Sequence, residues 1–246
     1  MKESRHYNGC HTTTNHRGII FKSLSKASRD FVTFTSHIDK PALDMGCAFG
    51  VATLPVLQKH KHIVACDLSK EHLRVLRENT PENLLCYLQT QVGCFPQDFQ
   101  FKENSIGAIH CSHLLHFLTG DELMAGLEKF KVWLCETGKL FINVGTPSLP
   151  FLGHFQEEYL KRKHWVKWPG EMDEKDIKQY VTPEYIEWIG AEAMYSFCHP
   201  LDKETLSRAL TESGFQIDEI YRYTLEDNGD LRKFKGENAH LSAVAH

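Results

Sequence analysis

Apolar positions along the chain fall in short runs separated by amphipathic stretches, and this alternation predicts its elements. Ala42-Leu-Asp-Met-Gly is an apolar run stopped by glycine, and Val51 to His60 then reads as a helix ending in a basic cluster. The run HIVACD, residues 62–67, has the pattern of a buried strand with Asp67 at its end. Ser69 is placed to cap the next helix, on which Leu73 and Leu76 share a face. LLCYLQ (84–89), IGAIHCS (106–112) and KLFINV (139–144) repeat the strand pattern, with an amphipathic segment at 121–135 before the last of them. Continuous apolar strands alternating with amphipathic helices predict an α/β fold, a mostly parallel, doubly wound sheet with helices on both faces.

From Thr146 to Pro200 the rhythm breaks. This stretch holds Phe151, Phe155, Tyr159, Trp165, Trp168, Tyr180, Tyr185, Trp188, Tyr195 and Phe197. After it, DKETLSRALTESGF reads as a helix capped by Asp202 and stopped by Gly214, leading into a strand at 215–224. The final NAHLSAVAH alternates like a strand, so the two last strands are expected as a hairpin at the sheet edge.

Composition narrows the function classes. With 246 residues, 41 % of them hydrophobic and 24 % charged, the chain can bury one full core. A net charge of -4 offers no extended basic field, which argues against nucleic acid as a bulk electrostatic partner. No apolar stretch reaches membrane-spanning length and residues 1–20 lack a signal-peptide core, so the expected location is cytoplasmic. Eight cysteines include no C-x-x-C pair, and the closest histidine clusters, His110-Cys-Ser-His113 and His60-Lys-His62, lack the two-pair spacing of a structural zinc site; no metal is expected.

The chemistry concentrates at Asp44-Met-Gly46-Cys-Ala48-Phe-Gly50. A glycine turn between strand and helix lets a ligand approach the backbone at the carboxyl ends of the strands. The dinucleotide fingerprint fails here, because its second and third glycines would fall on Ala48 and Val51, and the Lys-Ser/Thr ending of a phosphate loop is missing. Asp44 at the mouth of the turn would repel a pyrophosphate but suits an ammonium group. Asp67, 21 residues after Gly46, can accept hydrogen bonds from ribose hydroxyls. A ligand with a ribose, an amine and no pyrophosphate fits, and S-adenosylmethionine has all three features.

With LDMGCAFG, VACDLS, FKENSIGAIHCSHLLHFL and GKLFINV in this order, the chain from about Ala42 to Val144 resembles the class I S-adenosylmethionine-dependent methyltransferases. The resemblance implies a seven-stranded sheet whose last strand is antiparallel, with S-adenosylmethionine as cofactor and S-adenosylhomocysteine as product. It further implies that Asp44, Gly46, Ala48 and Gly50 form the methionine-side turn, and that Asp67 with Leu68 holds ribose and adenine. Ala48 departs from the usual glycine. The acidic adenine contact after the third strand falls near Cys94-Phe95, leaving either Asp98 in a shifted loop or the Phe95 ring for that role.

On the acceptor side, Ser112, His113 and His116 follow the fourth strand. Ser112 is taken with the cofactor residues, and His113 and His116 are the catalytic candidates, His116 having a capping or packing role as its alternative. The expected organisation is a single domain: N-terminal cover helices at 1–40, to which Arg17 belongs, a cofactor-binding core at 41–145, an aromatic acceptor lid at 146–200, and a C-terminal helix with edge strands at 201–246. The predicted reaction is methyl transfer to a small, apolar or aromatic acceptor. Two rivals are a protein or nucleic-acid methyltransferase, using Lys161-Arg162-Lys163-His164 beside Trp165, and a non-catalytic cofactor-binding interaction module.

Overall fold

Strands buried on both faces must lie inside a sheet covered by helices, and the computed structural model has such a sheet. It describes residues 23–189, 196–223 and 238–246, with backbone alone at 188–189 and in three short strands, His6–Tyr7, Cys10–Thr12 and Ile19–Phe21. The main sheet contains β1 (Ala42–Met45), β2 (Ile63–Asp67), β3 (Leu88–Val92), β4 (Ile106–Ser112), β5 (Leu134–Gly145), β6 (Ile217–Tyr223) and β7 (His240–Ala245), in the order β6-β7-β5-β4-β1-β2-β3. Strands β1 to β5 are parallel, and β7 lies antiparallel between β5 and β6. The order reverses at β1, between β2 and β4. That reversal opens a crevice at the carboxyl ends of the strands, where ligands of such sheets bind.

The helices are α1 (Lys26–Phe34), α2 (Thr53–Gln58), α3 (Lys70–Asn79), α4 (Gly120–Trp133), α5 (Phe155–Arg162), α6 (Glu174–Tyr180), α7 (Pro183–Ile189) and α8 (Lys203–Glu212). One apolar cluster joins α4 and α8 to the sheet, and a second joins α1, α2 and α3 to the other face. Local chemistry fixes the helix starts. Ser69 accepts from the His72 N–H, Thr119 and Glu122 form a capping box on α4, and Asp202 accepts from the Thr205 N–H at 2.8 Å. Gly214 leaves α8 at φ +81°, the left-handed stop that glycine adopts without strain.

Two expectations are corrected. Residues 82–87 form a 3-10 helix, so the strand expected at 84–89 begins only at Leu88; Leu84 and Leu88 are buried and the residues between them are not, a helical rather than an alternating spacing. Among the described residues of 1–40 the expected cover helices are α1 and the short 3-10 turn Thr35–His37 after it, preceded by the three short strands, which pair as an antiparallel sheet.

The segment 146–200 is an insertion between β5 and α8 with its own apolar core, built from Phe151, Phe155, Tyr159, Ile177 and Tyr185 among others. It is tied to the strand tips by Leu201 N–H to the Gly145 carbonyl (3.1 Å) and His199 N–H to the His116 carbonyl (2.8 Å).

Candidate functional site

Beyond β1 the chain turns through residues 46–50 with three positive φ angles, +76° at Gly46, +46° at Ala48 and +82° at Gly50. A Cβ on Gly50 would lie 2.3 Å from the Leu76 side chain, so this glycine serves the packing of α3 as well as the turn. Ala48 holds a conformation that costs about 1–2 kcal/mol for a residue with a Cβ. Its N–H donates to Asp67 Oδ2 at 2.9 Å, which binds the strained residue to the tip of β2. Asp67 Oδ1 accepts from the Ser69 N–H (2.8 Å) and from His72 Nδ1 (2.9 Å). Leu68, next in the chain, is 50 % exposed at the tip of β2.

Asp44 lies behind the turn and is only 2 % exposed. Its Oδ2 accepts from the Thr53 hydroxyl at 2.6 Å and its Oδ1 from His110 Nδ1 at 2.8 Å. With Nδ1 donating, His110 Nε2 accepts from the Ser28 hydroxyl at 2.9 Å. Asn143 Nδ2 donates to Ser28 Oγ and Ser112 Oγ, both at 3.1 Å, while Asn143 Oδ1 accepts from Ser25 (3.0 Å) and Ser242 (2.7 Å). A buried polar network thus links α1, β1, α2, β4, β5 and β7 below the crevice. Of the two ways in which Asp44 suits an ammonium group, directly or through water, its burial behind the turn and its bonds to Thr53 and His110 favour the indirect one. His110 and Asn143 escaped the sequence reading, although a histidine and an asparagine inside the apolar strands IGAIHCS and KLFINV were the available signal.

After β3 the two candidates for the adenine contact separate. Phe95 is 5 % exposed and stacks on Phe130 at 4.7 Å in the α4 core, in space left by Gly126, so its ring does not line the crevice. Asp98 is exposed on the following loop, where its Oδ2 accepts from the Cys94 N–H at 2.8 Å.

At the tip of β4, half-buried Ser112 is followed by His113 at φ +55°, with its N–H on the Asn143 carbonyl (2.8 Å). The His113 ring lies 5.9 Å from that of His116 and 5.4 Å from that of His240, and its Nε2 shares a 3.3 Å hydrogen bond with the Tyr223 hydroxyl. His199 closes the group, with Nδ1 on the Leu118 carbonyl (2.9 Å) and Trp168 edge-on at 5.6 Å. Burial, reinforced by neighbouring imidazoles, holds His113 well below the ordinary histidine range and His116 down to about 3. Burial lowers His199 as well. All three imidazoles are neutral at pH 7.

The aromatic lid is corrected in part. Phe151, Phe155, Tyr159 and Tyr185 are the insertion's own core, and Trp165 is 87 % exposed to solvent. Trp168 is packed against the main core and edge-on to His199. Arg17, Trp188 and Tyr195 lie outside the described side chains.

Comparison with known proteins places this geometry. Residues 42–138 match the family model of the methyltransferase domain. An S-adenosylmethionine-dependent methyltransferase structure from Methanosarcina mazei shares 16 % identity over 91 % of this chain and 97 % of that one, with a TM-score of 0.63. One from Mesorhizobium loti shares 16 % over 89 % and 95 %, at 0.60. The glycopeptide N-methyltransferase MtfA in complex with sinefungin shares 16 % over 90 % and 85 %, at 0.57. At these identities the likeness establishes the fold. A search of curated proteins finds no match.

Proposed function

We propose that the chain is an S-adenosylmethionine-dependent methyltransferase, a reading supported by the match of residues 42–138 to the methyltransferase domain, and that it transfers the methyl group to a small acceptor held between the tip of β4 and the 146–200 insertion. The observation that supports this most is the Asp67 carboxylate, joined to the glycine turn through Ala48 and standing beside the exposed Leu68. Three internal donors leave Asp67 one acceptor position, on Oδ2, and Leu68 offers an apolar face; a ribose hydroxyl and a purine fit this pair. The turn from Gly46 to Gly50 would take the amino-acid end, with Ser112 and Asp98 on the flanking tips. Bound there, S-adenosylmethionine supplies an electrophilic methyl group on a sulfonium.

The chain's own work is alignment. The buried Asp44–His110–Ser28 and Asn143 network fixes the turn and the tips of β4 and β5 in one geometry. His113 and His116 face the acceptor side, with Phe117 packed on His116 at 4.2 Å and Trp168 on His199, so a flat, partly apolar acceptor body suits the walls. The nucleic-acid alternative loses support because the basic run is paired internally, Arg162 with Glu158 and Asp176, Lys163 with Asp202 and Glu204.

Thermal shift tests the cofactor. S-adenosylhomocysteine at a hundred times its dissociation constant should stabilise the protein by about 2.7 kcal/mol, whereas NAD should leave it unchanged. Stabilisation by NAD alone would remove the reading. Tight S-adenosylhomocysteine binding without methyl transfer to any small molecule in a mass-spectrometric screen would favour the non-catalytic module.

A further inference from the structure

We propose that the acceptor carries an oxyanion, which it seats on the imidazoles of His113, His116, His199 and His240, drawing a proton from solvent onto the cluster as it binds. This rests on the methyltransferase reading and names the acceptor chemistry of the same site.

The cluster draws its members from separate elements: His113 at the tip of β4, His116 from the 3-10 turn after it, His199 from the end of the insertion and His240 from β7. Tyr223 reaches it from β6 and Trp168 from the insertion. The carboxylates nearby are already engaged. Glu171, which acts on His199, accepts from the Gly120 N–H at 2.6 Å, and Asp44, beyond His110, accepts from His110 and Thr53. Among the described residues the electrostatic partners of His113, His116 and His199 are other imidazoles and Glu171, with no lysine or arginine.

Two ring nitrogens, His116 Nδ1 and His199 Nε2, are buried with no hydrogen-bond partner among the described residues. An apolar acceptor would leave both orphaned. Among the described residues the carboxylates beside the cluster, Glu171 and Asp44, already accept from Gly120 and from Thr53 and His110, and no group of three side chains could hold a metal ion, so an ammonium acceptor finds no carboxylate there given over to it. An oxyanion resolves the arrangement, because an imidazole that takes up a proton offers charge-assisted donors to it and the anion's own field favours that protonation. His116, held neutral down to about 3, is also a poor base at pH 7. An acceptor that arrives already deprotonated needs no base.

The test is calorimetry at pH 7 on the full chain saturated with S-adenosylhomocysteine, titrated with benzoate and with benzamide as the neutral isostere, in Hepes and in Tris. Benzoate should bind at least about tenfold more tightly than benzamide, and its heat should differ between the buffers in the direction of proton uptake. Histidine ring signals in the NMR spectrum of the wild-type chain should report an imidazole becoming protonated. His116→Phe should abolish both the preference and the uptake while S-adenosylhomocysteine affinity is unchanged; if that variant does not fold, the wild-type NMR titration decides. Equal binding of the two probes, benzoate binding without proton uptake, or no benzoate binding overturns the proposal. Failure of S-adenosylhomocysteine to bind, read before either probe is added, counts instead against the methyltransferase reading.

Discussion

Two carboxylates that look alike in the sequence do different work. Asp44 faces inward and organises Thr53 and His110, whereas Asp67 faces the crevice rim and ties Ala48, Ser69 and His72 together. Asp67→Asn should therefore weaken S-adenosylhomocysteine binding by roughly tenfold to a hundredfold, the value of one charge-assisted hydrogen bond at about 1.5–3 kcal/mol. A loss below about threefold in calorimetry would mean the ribose is held elsewhere. His110→Phe preserves the stacking on Phe31 (4.9 Å) but strips a partner from both Asp44 and Ser28. It should cost about 2–4 kcal/mol in urea unfolding, and a cycle with Ser28→Ala should be non-additive. Additive losses would show that the network is not coupled.

At the scale of elements, the sheet was readable because five of its strands are marked by continuous apolar runs or by a capped helix that follows, and because Asp67, Ser69, Asp202 and Gly214 stand where strand ends and helix ends need them. The insertion was less readable. Its aromatics have the same composition whether they line a pocket or fill a core, and only packing separates Tyr185, buried in a stack on Phe151 at 4.3 Å, from Trp165 in solvent. Phe95 failed for the same reason: a ring near a site in sequence was free to turn into the α4 core. Tyr185→Ala should cost about 3–5 kcal/mol and loosen the insertion, while Trp165→Ala should shift stability by no more than about 0.5 kcal/mol. Trp168→Ala is the informative case. Its effect should fall on acceptor affinity, with S-adenosylhomocysteine affinity retained, and equal losses in both would assign it to the core alone.

For the whole molecule, the histidine cluster couples folding to pH. His113, His116 and His199 are held below the ordinary value of about 6.5 by burial, so the unfolded chain binds more protons than the native one as pH falls through that value. The stability they contribute is fully present above about pH 6.5 and is lost as the medium is acidified toward their native values, for His116 about 3. Each histidine held fully neutral in this window adds a slope of about 1.4 kcal/mol per pH unit. The lowered carboxylates, Glu71, Asp202 and Asp218, lose their contribution only below the ordinary carboxylate value of about 4, so between pH 6 and 4.5 the imidazoles set the trend. Urea unfolding across that range should show stability falling with acidity, and His116→Gln, which cannot titrate, should remove about one histidine's share of the slope. An unchanged slope would place the proton-linked destabilisation elsewhere. The same linkage predicts that an oxyanion bound to the cluster flattens the fall, since it stabilises the protonated rings that otherwise drive unfolding.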